Sequence, residues 1–564
     1  MGTSSPPAGV PALPVILRSL RAVLLAAVVA ALSLSIAPVA PGATPRAAAA
    51  PSTDSVPKAS CGPGSHPETG LQGRVSLDDI NGGRAAEGYR CNTELVGSEL
   101  TSVPLGSFGG FKVRRYVDAA GHECAYYDVQ LLVGTGITDV SKGLNAGVAV
   151  LDMSNPAKPV RTATLSTVTM LTPHESLQVN QKRGLLAAVA GTPAFGPGVV
   201  DVYDISKDCR HPELKSPPLN LAGIIGHESG MALDGNTFYS GNPVPNGQVA
   251  AVDVSNPAAP TTLAVVNHPS HGISLSQDGN RAYLTSLFPA TLTISDTSQV
   301  QSRQPNPQVT PVGSVTWDGT IPQIAIPVTI GGHPYVVEVD EYGALGPRSF
   351  IGSKPGAARI IDIADETKPA VISNIRLEVH QPENFAALAN DPGAANPVGG
   401  YAGHYCNVPR YADPGIMACS MLSSGLRIFN IRDPYHPREI AYFNQPSTIT
   451  PNFGNTPLEQ LATNAIPPSW AQSSPEFVPA RCEVWYSDGR TGFYNVRLTN
   501  GTCAVMGGGP SEPPTTTPTP AASPVARHTS DDSDSDSDSD GGRGHHGRHH
   551  RSGDIVPLSI PSGR

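Results

Sequence analysis

The chain has 564 residues, of which 58 are Gly and 57 are Pro. Because both residues interrupt helices, this composition disfavours a helix bundle or a coiled coil. Charged residues make up only 15% of the chain and the formal net charge is −10. These values disfavour a strongly basic nucleic-acid-binding protein, and we predict no nucleic-acid partner.

Residues 1–50 have the pattern of an export signal. Arg18 and Arg21 precede an uncharged apolar run from Ala22 to Ala37, and small residues follow as far as Ala50. This order predicts a signal peptide over residues 1–50. A membrane anchor is the alternative, but the run is short for a bilayer span, which needs about 20 residues. We therefore expect a secreted or cell-surface protein with no transmembrane anchor after signal cleavage.

The cysteines all follow the predicted signal, and residues 51–92 are assigned to an N-terminal extension. An even number of cysteines in an exported chain predicts disulfides. Cys406 and Cys419 are equidistant from the turn at 412–415, so a hairpin would place them opposite each other and we predict that they are bonded. The sequence offers no comparable argument for the other six, which are Cys61, Cys91, Cys124, Cys209, Cys482 and Cys503.

A repeated segment dominates the middle of the chain. Each copy has an apolar run, then Asp or Asn, and usually a turn with Ser, Asp or Pro. The Asp or Asn positions are Asp152, Asp204, Asp253, Asp296, Asp362, Asn430 and Asn495. Propeller blades repeat every ~40–50 residues when they carry no insertions. The seven copies are therefore typical of blades, several of which carry insertions.

Each copy also reads as four strands, because hairpin turns precede the Asp strand and a further apolar run follows it. One such sheet cannot bury both of its faces, whereas seven arranged radially can. We predict an all-β, seven-bladed β-propeller over residues 93–507. The segment 93–100 is expected to close the ring by pairing with 491–498. The repeated Asp residues are interpreted as structural, because they can accept backbone N–H bonds in the following turn.

Three copies, GVAVLDMSNPAKP, GQVAAVDVSNPAAP and GLRIFNIRDPYHP, resemble LVIVD repeats, which occur in secreted and surface propeller proteins. The resemblance implies a propeller fold and an extracellular or cell-surface setting, without implying a reaction or catalytic residues. LSQDGNRAYLTS at 275–286 is also similar to lactonase-type propellers, but it offers no motif that assigns a residue a role.

Four histidines recur at one place in the repeat. His174, His227, His271 and His380 lie 22, 23, 18 and 18 residues after the preceding repeat Asp. This register corresponds to the start of the innermost strand of the next blade, so we expect these side chains to converge at one mouth of the channel. Imidazoles and carboxylates are ligands that divalent transition metals prefer. The predicted metal ligands are these four histidines, with Glu175, Glu228, Glu383 and His404 as secondary candidates. The alternative is a structural role, in which each His bonds a neighbouring blade.

Residues 508–564 differ in composition from the rest of the chain. A Pro/Thr-rich stretch, an Asp-Ser tract and a His-rich stretch follow one another, and none has enough apolar residues to fold. We predict a disordered tail. Its histidines, His545, His546, His549 and His550, could bind metal loosely.

The leading functional hypothesis is a non-enzymatic scaffold for binding or interaction. Its partner would be an extracellular protein or a cell-envelope ligand, and the protein is expected to be a monomer. Candidate binding loops are the insertions 340–356, 385–403 and 446–480, because long loops on rigid scaffolds often carry recognition. The alternative is a metal-dependent extracellular enzyme, a hydrolase or an oxidase, with a His/Glu site at the channel mouth. The sequence assigns no catalytic residue and no cofactor other than the possible divalent transition metal.

Overall fold

The strands of the chain follow one another in regular groups of four. The computed structural model describes residues 51–100, 107–131, 147–191, 198–222, 226–243, 247–317, 320–343, 356–394, 400–447, 469–489 and 491–507. The strands, in chain order, are β1 (Tyr89–Cys91), β2 (Thr93–Leu100), β3 (Ser107–Val117), β4 (Glu123–Leu131), β5 (Gly147–Asp152), β6 (Val160–Leu165), β7 (Gln178–Asn180), β8 (Leu185–Val189), β9 (Val200–Asp204), β10 (Glu213–Leu214), β11 (Glu228–Met231), β12 (Thr237–Gly241), β13 (Val249–Asp253), β14 (Thr261–Val266), β15 (Ile273–Leu275), β16 (Arg281–Ser286), β17 (Thr291–Asp296), β18 (Thr310–Thr316), β19 (Thr320–Ile330), β20 (His333–Gly343), β21 (Ala358–Asp362), β22 (Ala370–Ile375), β23 (Tyr405–Asn407), β24 (Ile416–Ser420), β25 (Leu426–Asn430), β26 (Arg438–Asn444), β27 (Glu476–Val478), β28 (Glu483–Asp488) and β29 (Gly492–Leu498).

Helical segments in the described residues are short. The α-helices are Leu77–Asn81, Val168–Leu171, Ser298–Gln301, Phe385–Leu388 and Cys503–Met506, and the 3-10 helices are Arg84–Glu87, Glu378–His380, Pro382–Asn384 and Pro479–Arg481. None of the helices in this part of the chain has the length and apolar character that crossing a membrane would require.

Seven antiparallel sheets form the blades of a propeller. Blades 1 to 5 are β3–β6, β7–β10, β11–β14, β15–β18 and β19–β22. Blade 6 is β23–β26 with β1 added at its outer edge, and blade 7 is β27–β29 with β2 at its outer edge. The predicted all-β, seven-bladed propeller is therefore confirmed.

The two ends of the propeller are joined by strand pairing. In the antiparallel register of β2 with β29, Thr93 lies opposite Leu498 and Leu100 lies opposite Gly492. This is the ring-closing pair that the sequence predicts. Strand β1 pairs with β26, so part of the segment assigned to an extension is a fifth strand of blade 6, which the sequence does not predict.

The hydrophobic core is divided among the spaces between neighbouring blades. Each of seven clusters of buried side chains combines residues from two adjacent blades, and one of them joins blade 7 to blade 1 through Trp485, Phe493, Val113 and Tyr127. The third strand of each of the first six blades is therefore buried on both faces and ends in a half-buried Asp or Asn. This closed series of interfaces arranges the blades around one axis.

The repeated Asp residues stabilise the turns that follow the third strands. In Asp152, Asp204, Asp253, Asp296 and Asp362, Oδ1 accepts the N–H of the residue two positions later at 2.8–2.9 Å, and Asn430 does so at 3.0 Å. Asn495 differs because it lies inside β29, and its Nδ2 donates to Glu483 instead. These contacts support the structural interpretation for six of the seven copies.

The eight cysteines form four disulfides, and none is free. Cys406 and Cys419 lie directly opposite each other on β23 and β24 and are bonded. The other pairs are Cys61–Cys91, Cys124–Cys209 and Cys482–Cys503. Four disulfides fit a secreted or extracellular protein. The predicted signal peptide and the predicted tail lie outside the described residues.

Candidate metal centre in the central channel

Four histidines from four blades meet near the propeller axis. His227 and His404 directly precede β11 and β23, while His174 and His271 lie within four residues of β7 and β15. These are the first strands of blades 2, 3, 4 and 6, and first strands line the channel of a propeller. The ring centroids of His174 and His227 are 4.3 Å apart, and those of His227 and His271 are 5.0 Å apart.

The carboxylate of Glu175 lies among these four imidazoles. Its Oε2 is 3.2 Å from Nε2 of His227 and 3.8 Å from Nε2 of His271. Its Oε1 is 3.2 Å from Nε2 of His404 and 4.0 Å from Nε2 of His174. Glu175 is fully buried, so a residue that the sequence ranks as secondary faces all four histidines.

A second carboxylate, that of Glu341, reaches the same place from the end of β20. Its Oε2 is 3.3 Å from Nε2 of His271, and its Oε1 is 3.6 Å from Nε2 of His404. Glu341 is not among the predicted ligands, because the repeat register of the histidines marks only the starts of first strands. The end of a second strand lies at the same end of an antiparallel blade, and that alternation could have identified Glu341.

In two of the imidazoles, Nδ1 is bonded to a backbone carbonyl oxygen. Nδ1 of His271 lies 2.6 Å from the carbonyl oxygen of Pro322, and Nδ1 of His404 contacts the carbonyl oxygen of Gln472. Because a carbonyl oxygen only accepts, each Nδ1 carries a proton and donates it. The Nε2 atoms of both rings are therefore directed at the carboxylates. An Nδ1–H bonded to a carbonyl is how proteins commonly orient a histidine that ligates metal through Nε2.

The other two imidazoles contain buried nitrogens for which the described part of the chain offers no hydrogen-bond partner. Nδ1 of His174 and Nδ1 of His227 have no partner among the described residues, although buried polar atoms are normally bonded. The ring centroids of His174 and Phe111 are 4.6 Å apart. His174 also has a left-handed backbone conformation, with φ of +50°. Strain of this kind at a non-glycine residue is frequent at ligand sites.

The charges of the centre depend on one another. Burial would raise the pKa of Glu175, but His174, His227 and His404 hold that pKa well below its usual value. Burial would lower the pKa of His404, yet the two carboxylates, Glu175 and Glu341, raise it to about 10. The centre therefore favours an anionic Glu175 beside a cationic His404, whereas burial and the neighbouring His227 hold the pKa of His174 well below its usual value.

A second polar layer lies against the centre. Lys112 Nζ forms an ion pair with Glu228, and the Tyr405 hydroxyl donates to Glu228 Oε2 at 2.6 Å. Nε2 of Gln323 donates to the Tyr405 hydroxyl at 2.6 Å. Burial raises the pKa of Glu228 to about 7, although Lys112 opposes this effect. Glu228, a predicted secondary ligand, thus belongs to a layer that joins blades 1, 3, 5 and 6.

Two predicted ligands, His380 and Glu383, do not join the four imidazoles. The His380 ring donates through Nε2 to the Tyr401 carbonyl at 2.6 Å and accepts the N–H of Leu377 at Nδ1, 3.0 Å away. Burial, helped by Arg376, lowers its pKa to about 3. Glu383 is exposed. The spacing argument fails here because an insertion follows β22, so that His404, not His380, precedes the first strand of blade 6.

Asp128 supports the segment that carries Phe111 and Lys112. Its Oδ1 accepts their N–H groups at 2.9 and 3.3 Å, and burial raises its pKa to about 7. A carboxyl whose folded pKa exceeds its unfolded value of 3.8 binds more protons in the native state. It therefore makes stability fall as pH rises from about 4 to about 7.

We expect Asp128→Asn to flatten this dependence. The change in unfolding free energy between pH 5 and pH 8, measured with urea, should be smaller in the variant than in the wild type. The exposed Glu383→Gln is the control and should leave the dependence as it is. If the unfolding free energy changed equally between pH 5 and pH 8 in the Asp128→Asn variant and the wild type, the raised pKa of Asp128 would be refuted.

Comparisons with known proteins identify no family for this chain. No protein-family model matches the chain, and no curated protein matches it. Among solved structures, the β-propeller domain of Cps50 (Swd1) from Myceliophteria thermophila has a TM-score of 0.41 at 10% identity, covering 72% of this chain and 98% of that one. Hydrazine synthase from Kuenenia stuttgartiensis has a TM-score of 0.41 at 11% identity, and the match covers 71% of this chain and 97% of that one. A putative 6-phosphogluconolactonase from Bacteroides fragilis has a TM-score of 0.38 at 13% identity, and the match covers 62% of this chain and 88% of that one. These similarities say nothing about ligand, reaction or partner, and the LVIVD resemblance stays a hypothesis.

Proposed function

We propose that the protein is an exported metalloprotein that binds a divalent transition metal in its central channel and catalyses a metal-dependent reaction on a small substrate there. The observation that supports this proposal is the convergence of four imidazoles, from four separate blades, on the buried carboxylate of Glu175. Imidazole and carboxylate together suit Zn²⁺, Fe²⁺ and Cu²⁺.

The cluster contains more carboxylates and imidazoles in mutual contact than a structural role requires. A histidine that only locks two blades together needs one partner, as His380 illustrates with its two backbone contacts. The cluster instead combines two carboxylates with two oriented Nε2 atoms and with buried nitrogens that have no hydrogen-bond partner among the described residues. The side chains of His174 and Glu341 are 11% and 13% exposed, so that a small molecule could reach the centre.

The identity of the metal separates the two reaction classes. Zinc would favour hydrolysis, since it activates a bound water without redox chemistry. Iron or copper would favour oxidation.

The experiment is elemental analysis of the full secreted chain, purified without added metal or chelator. The wild type is compared with a His174→Ala/His227→Gln variant, and the exposed His436→Gln serves as the matched control. Because the tail is present in all three proteins, its histidines contribute equally. We expect the wild type and the control to retain at least one more transition-metal ion per chain than the double variant. Equal metal content in all three would refute the proposal.

A second candidate function is that of an extracellular interaction scaffold, which the propeller fold fits in general. What favours it is the position of the insertions 340–356, 385–403 and 446–480. The described strands that flank them meet at the end of the blades where the first strands begin, which is also where the histidines lie. Residues 344–355, 395–399 and 448–468 of these insertions lie outside the described residues. We propose that these loops of a monomeric protein contact an extracellular protein or a cell-envelope ligand. Unchanged binding to cell-envelope extracts after shortening all three loops would refute this role.

A further inference from the structure

We infer that the channel centre binds two divalent metal ions and that the carboxylate of Glu175 bridges them. This inference rests on the proposed metal-binding function and adds the number of ions and the residues that hold each one.

The orientation of the Glu175 carboxylate supports a bridge. At the shortest distances its two oxygens face different imidazoles, Oε2 towards Nε2 of His227 and Oε1 towards Nε2 of His404, each at 3.2 Å. The longer contacts cross over, because Oε2 is also 3.8 Å from Nε2 of His271 and Oε1 is 4.0 Å from Nε2 of His174. The nearest contacts therefore assign one oxygen to each ion, as in a carboxylate bridge.

The donor groups of the centre form two sets. Ligand atoms of His174, Glu175 and His227 lie within 4.8 Å of one another, and so do those of Glu175, Glu341 and His404. Glu175 is the member that the two sets share. Nε2 of His271 lies 3.3 Å from Glu341, so His271 can complete the second set. Each ion would then have at least three protein ligands, as catalytic metal sites usually do.

The first set also contains buried ring nitrogens that have no hydrogen-bond partner among the described residues. They are Nδ1 of His174 and Nδ1 of His227, whose side chains are 11% and 8% exposed. A carboxylate bridge places two ions about 3.5–4 Å apart. Two divalent ions and two carboxylates leave the centre with a net positive charge, so we expect it to bind anionic substrates.

The test uses the full chain with the four tail histidines replaced, His545→Ala, His546→Ala, His549→Ala and His550→Ala. The protein is stripped with a chelator, loaded with Co²⁺, desalted and analysed for bound cobalt, and its circular dichroism is compared with that of the unmodified chain. We expect two Co²⁺ per chain, one after Glu341→Gln, and two after the control His436→Gln. Electron paramagnetic resonance should show a reduced Co²⁺ signal per bound ion in the two-ion protein, because bridged ions couple magnetically.

The outcomes separate this inference from the proposed function. One uncoupled Co²⁺ per chain would overturn the two-ion centre and leave the metal-binding function standing. No bound Co²⁺ would overturn both. Two ions in the folded Glu341→Gln variant would refute the assignment of Glu341 to the second position.

Discussion

Replacing Glu175 with Gln is expected to weaken the binding of Co²⁺ to the metal-free protein at least about 100-fold, which corresponds to about 2.7 kcal/mol of binding free energy. Glutamine keeps the volume of the side chain but removes the negative charge that faces all four histidines. The loss should be large because the carboxylate is fully buried, where charge interactions are screened less than in water. Isothermal titration with Co²⁺ measures the effect.

Glu383→Gln is the matched control for this prediction. Glu383 is the same residue type and a candidate from the same sequence pattern, but it is exposed and lies in the 3-10 helix Pro382–Asn384. Its replacement should leave the dissociation constant for Co²⁺ unchanged. If Glu175→Gln bound Co²⁺ as tightly as this control, Glu175 would not be a ligand.

Replacing Lys112 with Met is expected to lower the free energy of unfolding by about 3–5 kcal/mol. Lys112 and Glu228 are both fully buried and form an ion pair. Removing only the cation leaves a buried carboxylate without its charged partner and close to Glu175, which already raises its pKa. Urea unfolding of the metal-free protein measures the loss.

The double variant Lys112→Met/Glu228→Gln distinguishes an ion-pair effect from a packing effect. Removing the second charge should recover much of the lost stability, because no isolated charge then remains in the channel. Gln can still accept the hydrogen bond of the Tyr405 hydroxyl. A double variant no more stable than Lys112→Met alone would contradict this explanation.

The sequence was sufficient to predict the fold because the repeat is a local signal. The Asp that ends each third strand and the apolar run before it mark every blade, and the closing strand follows from the missing partner of β29. The addition of β1 to blade 6 could not be predicted in this way, because a three-residue edge strand carries almost no pattern of its own.

The candidate site was predicted only in part. His174, His227 and His271 follow the repeat register, and the structure brings them together around Glu175. His380 lies as many residues after its repeat Asp as His271 does, but it does not lie beside the other imidazoles. The insertion after β22 delays the first strand of the next blade, so that His404 precedes this strand instead. Glu341 lies on the second strand of blade 5, and Lys112 lies on the first strand of blade 1, which contains no histidine. Only the closed ring brings them to the axis.

The most direct test of metal binding in the channel is a crystal structure of the protein with anomalous diffraction data collected at transition-metal absorption edges. We expect an anomalous peak in the channel at ~2.0–2.2 Å from Nε2 of His404 and from an oxygen of Glu175. A well-ordered channel with no anomalous peak, in protein that was never exposed to a chelator, would contradict it.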